Sequence, residues 1–232
     1  MKKYLSFFIA IIFTLFPDVV EAKKDSESTG LKVMSYNIRL GSANDGTNSW
    51  ALRYPATAEM IEDQMPDIFG VQEALASQIR FIEDNFIDYK SVGVGREDGK
   101  KDGEHMSIFW NKKTVSMLKW GTFWLSDTPE KPSKGWDAEC FRTATWALMK
   151  DKKTGKMFYF VNTHLDHKGK EAQRKGLDLI VSRIDDINPA ICQPVLFLLQ
   201  KSIVFSSLYS GYAGFPGSFS DGFGNSRAHP AV

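Results

Sequence analysis

The feature that narrows the fold most is the interleaving of short strand-like segments with longer stretches of helical period. Residues 31–40 (LKVMSYNIRL) alternate apolar and polar positions, the period of a half-buried strand. Residues 67–72 (DIFGVQ) are a shorter apolar run and read as a second, buried strand. Further strands are predicted at 89–94, 106–110, 115–123, 143–149 and 157–163. Helical spacing recurs at 54–65, with Ala56, Met60 and Ile61 on one stripe and Pro66 as its stop. It recurs again at 77–86, and at 171–187 through Leu177, Ile180, Val181 and Ile184. Strands and helices mixed in this order predict an α/β (α+β) layered domain without internal repeats.

The first 22 residues are expected to be an export signal rather than part of that domain. Lys2 and Lys3 precede an apolar run from Leu5 to Phe16, and Val20-Glu21-Ala22 offers a cleavage site. That run is well short of the ~20 residues a membrane-spanning helix needs. The expectation is a secreted or periplasmic protein, with residues 23–30 as a polar linker and the domain over 31–189. Lys and Arg total 29 against 28 Asp and Glu, so no global basic field draws the chain to nucleic acid or anionic membranes. Two cysteines exclude a disulfide scaffold and a four-thiolate zinc site, and leave the pairing of Cys140 with Cys192 open.

Residues 190–232 differ sharply in composition. About 30% of residues 23–189 are charged, against 7% beyond residue 189, where only Lys201, Asp221 and Arg227 carry charge. The segment is rich in Ser, Gly and Phe, with no periodicity that builds a paired strand or an amphipathic helix.

Four polar groups stand where apolar strands emerge: Tyr36-Asn37, Gln72-Glu73, Gly103-Glu104-His105 and Asn162-Thr163-His164-Leu165-Asp166-His167. Strand ends are where sites form on α/β scaffolds. A carboxylate such as Glu73 beside an amide such as Asn37 supplies the hard oxygens that Mg²⁺ prefers. A histidine nearby can orient or protonate a phosphoryl oxygen. Each residue alone has a plainer reading. Asn37 suits a strand-end turn, Glu73 a surface acid and Asp166 the cap of the following turn. His164 and His167 lack the third neighbour a zinc site would need. Trp110, Trp124 and Trp146 suit the core, and Arg39 and Arg96 suit solvated loops.

The set in this order resembles the endonuclease/exonuclease/phosphatase superfamily. The matching text is VMSYNIR at 33–39, PDIFGVQE at 66–73 and VNTHLDH at 161–167. Between them, FWLSDTPEKPSKGWDA at 123–138 and RTATW at 142–146 resemble the branch holding deadenylases and secreted bacterial members. The resemblance implies a two-sheet β-sandwich flanked by helices, four layers in all, like pancreatic DNase. It implies Mg²⁺, with Mn²⁺ as the alternative, bound by Glu73 with Asn37 in support. It also implies His164 as the catalytic histidine, with Asn162 and Asp166 orienting it or the substrate. Glu104 would line the cleft and Arg142 would contact phosphate.

The resemblance stops after residue 189. The family continues into a strand ending in a G-D-F-N-like signature and later an S-D-H. Here the chain reads Phe197-Leu198-Leu199-Gln200, and Asp221 and His229 lack the expected neighbours. The fold is therefore expected to be incomplete at its C-terminal side, with 190–232 a replaced or frameshifted end. The functional expectation is a metal-dependent phosphoester hydrolase by family, acting as a monomer on nucleic acid, a phospholipid head group or a sugar phosphate. The alternatives are an exported phosphate-ligand-binding protein without catalysis, or a non-functional product.

Overall fold

The computed structural model describes residues 30–188 and the strand at 195–199. The segment expected to be an export signal, most of the expected linker and the rest of the C-terminal segment, Cys192 included, lie outside the described residues. Two mixed four-stranded sheets face each other. The first holds β1 (Val33–Asn37), β2 (Ile68–Gln72), β3 (Tyr89–Val92) and β4 (Ile108–Asn111), in the order β1-β2-β4-β3. The second runs in sequence order through β5 (Val115–Trp124), β6 (Thr143–Asp151), β7 (Met157–Thr163) and β8 (Val195–Leu199). Three α-helices and one turn of 3-10 helix (Gly46–Asn48) complete the described fold: α1 (Trp50–Gln64), α2 (Ala76–Asn85) and α3 (Lys170–Ile187).

Three apolar layers follow from the alternation of side chains along the strands. Ile68, Val92, Ile108 and Trp110 meet Val115, Ala147, Met149, Phe158 and Phe160 between the sheets. Phe69, Val71 and Phe109 on the opposite face pack with Ile61 of α1 and Ile82 of α2. Phe123, Ala144 and Val161 on the outer face of the second sheet pack with Ile180 and Ile184 of α3. The chain is thus a four-layer α/β sandwich. Its buried strand β2 reads as an unbroken apolar run because both of its faces are covered.

Several sequence expectations need correction. The first helix starts at Trp50, because the Trp50 ring packs edge-on against Phe81 at 5.4 Å. Its buried face is Thr57 and Ile61, and Ala56 is exposed. On α3 the buried row is Ala172, Gly176, Ile180 and Ile184, while Leu177 and Val181 face outward. The small residues win that face because α3 comes close to the sheet: a β-carbon on Gly176 would lie 3.3 Å from Leu125. The first strand ends at Asn37, since Arg39 turns the chain with a left-handed φ of 61°. Most significantly, residues 195–199 do form a paired strand, parallel to β7 from Tyr159↔Val195 to Thr163↔Leu199. Like residues 67–72, VLFLL is a short continuous apolar run, a pattern consistent with a buried strand.

Candidate active site

The two sheets bring several strand ends together. β1 and β2 are parallel and in register, with Asn37 opposite Gln72. Asn162, near the end of β7, accepts from Gln72 Nε2 through Oδ1 at 2.7 Å. Its Nδ2 donates to the carbonyls of Val71 at 2.8 Å and Ser107 at 3.0 Å. That amide stitches one sheet to the other and fixes the C-terminal ends of β1, β2 and β7 on one side. Before β4, His105 forms an antiparallel bridge to Ala74, and Glu104 beside it lies near enough to feel the charge of Glu73.

Glu73 is held at both oxygens. Asn37 Nδ2 donates to Oε1 at 2.8 Å and the Leu40 N–H to Oε2 at 3.2 Å. Asn37 Oδ1 in turn accepts from the Arg39 N–H at 2.9 Å. Glu73 (φ 62°) and Arg39 (φ 61°) both occupy the left-handed region. Such backbone costs of order 1–3 kcal/mol per residue and persists where surrounding contacts over-determine it. Arg39 itself is largely exposed and pairs with Asp45 through both Nε and Nη2 at 2.8 Å.

Arg96 departs from the solvated-loop expectation. It is 8% exposed and grips both oxygens of Glu104 at 2.9 Å, and its carbonyl accepts from Trp124 Nε1 at 2.7 Å. The Glu104 carboxyl is nonetheless raised above its ordinary range. Burial is the main cause, opposed by Arg96 and reinforced by the charge of Glu73.

His164 follows the end of β7, half-buried, with an Nδ1 that is buried and without a hydrogen-bond partner among the described residues. Burial, aided by the nearby Arg142 charge, lowers its pKa to about 4. The imidazole is therefore neutral from pH 5 upward. Because the folded pKa lies below the unfolded one, the associated stability is present above about pH 6.5 and is lost as pH falls towards 4. An NMR titration of the His164 ring should give a midpoint near 4; one above 6 would contradict this burial.

Next along the chain, Asp166 receives four N–H donors: Gly169 at 2.8 Å, Lys168 and Glu139 at 3.0 Å, and Arg142 Nε at 3.1 Å. Although burial pushes its carboxyl upward, these donors hold it well below the usual range. Arg142 also donates from Nη2 to His167 Nδ1 at 3.0 Å. No group of three or more His, Cys, Asp or Glu converges on a metal-sized site among the described residues.

Solved structures of known proteins resemble this arrangement. A Bacteroides vulgatus endonuclease/exonuclease/phosphatase is 39% identical, with a TM-score of 0.70 over 74% of this chain and 65% of that one. A Bacteroides thetaiotaomicron endonuclease/exonuclease/phosphatase family protein is 38% identical, with a TM-score of 0.71 over 74% and 63%. A mannosyl-6-phosphatase of Bacteroides thetaiotaomicron is 37% identical, with a TM-score of 0.70 over 73% and 64%. The chain belongs to the endonuclease/exonuclease/phosphatase superfamily. It spans less than two thirds of the length of each of these superfamily members. No family model matches it.

Set on this superfamily scaffold, the residues singled out from sequence fall into two groups. Asn37, Glu73, Glu104, Arg142 and His164 lie in one electrostatic neighbourhood: the charges of Glu73 and Arg142 act on both His164 and Glu104. Asn162 is wholly buried, with both amide hydrogens spent between the sheets, and Asp166 spends its oxygens on its own loop and Arg142. Trp110 and Trp124 are core residues and Trp146 is half-buried against Tyr159. Arg96, weighed from sequence as a phosphate contact or a solvated loop residue, is buried against Glu104, and Gln78, which joins the loops after β1 and β2, was not singled out from sequence.

Proposed function

We propose that the chain is an exported, metal-assisted hydrolase of phosphate esters. The observation that carries this reading is the convergence of a doubly held carboxylate, Glu73, with a neutral histidine and the cations Arg96 and Arg142. The donor set fits Mg²⁺, or Mn²⁺, which is commonly bound through one or two carboxylates, with waters and substrate oxygens completing the shell. Asn37 and the Leu40 N–H occupy one lone pair on each Glu73 oxygen and leave others for the ion. Bound there, the ion would supply Lewis-acid polarisation of the phosphoryl oxygen.

The remaining chemistry belongs to the side chains. A neutral His164 can donate a hydrogen bond to a phosphoryl oxygen as charge builds on it, inside a site where Arg142 adds positive potential. Arg96 holds Glu104 against the repulsion of Glu73, so the cleft keeps two acidic groups close together. The likeness to a mannosyl-6-phosphatase favours a small phosphomonoester such as a sugar phosphate over duplex nucleic acid. Near-neutral net charge points the same way.

One observation favours weak turnover. In β8 the residues opposite Asn162 and Thr163 are Leu198 and Leu199, in the strand where the family resemblance calls for acid and amide side chains. A binding role without catalysis is the second reading. Turnover of mannose 6-phosphate and bis-p-nitrophenyl phosphate separates the two. The hydrolase reading expects activity that is removed by EDTA, restored by Mg²⁺ and reduced at least ~100-fold by His164→Ala. Folded protein that binds phosphate esters without any turnover supports the binder.

A further inference from the structure

Gln78 has no part in the family motifs, yet it ties together the loops that follow β1 and β2. It is the third residue of α2 and is completely buried. Its Oε1 accepts from the Leu75 N–H at 3.0 Å, on the β2 side, and its Nε2 donates to the Arg39 carbonyl at 3.0 Å, on the β1 side. Arg53 Nη2 donates to the same carbonyl at 3.0 Å. Gly41 completes the fit: a β-carbon there would stand 2.8 Å from Gln78 Cδ.

Arg39 is the residue whose left-handed backbone turns the next N–H, that of Leu40, onto Glu73 Oε2. We infer that Gln78 is a positioning residue for Glu73: by clamping the Arg39 carbonyl to the start of α2, it keeps the Leu40 N–H on the carboxylate and so presets the oxygens offered to a divalent cation. The inference rests on the metal-binding reading of Glu73. Groups that orient a ligand typically change metal affinity 10–100-fold when removed, although they never touch the ion. Without this clamp the Arg39 carbonyl keeps only its hydrogen bond from Arg53, and the left-handed turn (φ 61°) is held less firmly against the carboxylate.

The test uses the full chain and Gln78→Met, which keeps an unbranched side chain of similar size and loses both hydrogen bonds. Thr57→Val serves as the comparison, because it removes the buried Thr57–Tyr36 hydrogen bond (2.9 Å) of α1 without touching the Arg39 turn. Two quantities are measured: Mn²⁺ affinity by calorimetry, and amide hydrogen exchange at Leu40 without metal. Gln78→Met should weaken Mn²⁺ binding ~10-fold or more and speed Leu40 exchange by a similar factor. Thr57→Val should lower the melting temperature while leaving both quantities within twofold. Unchanged Mn²⁺ affinity in Gln78→Met, or equal changes in the two variants, overturns the inference and leaves Gln78 a packing residue. If the unaltered chain binds no Mn²⁺, the metal reading of Glu73 fails first and carries this inference with it.

Discussion

Asn162→Asp is expected to lower the melting temperature by roughly 10–20 °C, one of the two largest stability effects expected of a single change. The replacement keeps the shape, so no cavity forms, but it exchanges an Nδ2 that serves two carbonyls for an oxygen. The Val71 and Ser107 carbonyls would then face a buried acceptor in place of a donor. The residue is 0% exposed, so water cannot compensate. Leaving buried polar groups unmatched costs about 1–3 kcal/mol each, and an unpaired buried charge costs more. A loss of ~3–5 kcal/mol against a total of ~5–15 leaves a marginal fold. Thermal denaturation followed by circular dichroism checks this. A melting temperature within about 3 °C of the parent would mean that the sheets do not depend on the Asn162 bridge.

Arg142→Met is expected to be comparably damaging, with a loss of ~3–5 kcal/mol, because it strands the carboxylate of Asp166 in the protein interior. The Asp166 side chain is fully covered and that of Arg142 nearly so, at 0% and 6% exposure. The penalty should depend on pH with a definite sign. In the parent the carboxyl is held below its unfolded value, so its contribution is present above about pH 4 and is lost as pH falls through the folded value. Arg142→Met should therefore be most damaging near neutrality and progressively less so in acid. Combining it with Asp166→Asn should recover part of the loss, since the charge left unpaired is removed. Additive losses in the double variant would show that Arg142 and Asp166 do not act as a pair.

How much of this was legible in advance varies from residue to residue. Met157–Thr163 was predicted to its exact ends, because an aromatic strand bounded by a Gly-Lys turn and a polar cluster leaves little choice. The outward faces of Leu177 and Val181 were not legible. Amphipathic spacing gives the period of a helix, but the approach distance at Gly176 selects the face. Arg96 was misplaced on the surface because an arginine in a Gly- and Asp-rich loop has no local mark of burial. Its partner Glu104 lies across a turn, and its carbonyl is met by Trp124 from the second sheet. The strand at 195–199 was missed for a related reason: pairing with β7 runs through backbone groups, and backbone groups leave no trace in composition.

The sequence alone determined the layered α/β class and the strand and helix order through residue 187, which follow from periodicity. It offered the candidate residues Asn37, Glu73, Glu104, Arg142 and His164 through their resemblance to superfamily motifs. Tertiary structure alone decided what each of those residues can do. Asn162 became a bridge between sheets because β7 crosses the end of β2, 90 residues earlier in the chain. Glu73 acquired two fixed donors because Arg39 and Leu40 turn back over it. His164 became neutral because the body of the protein removes its water. Burial, strained turns and long-range hydrogen bonds are properties of neighbours in space, and a linear pattern records them only where those neighbours also lie close in the chain.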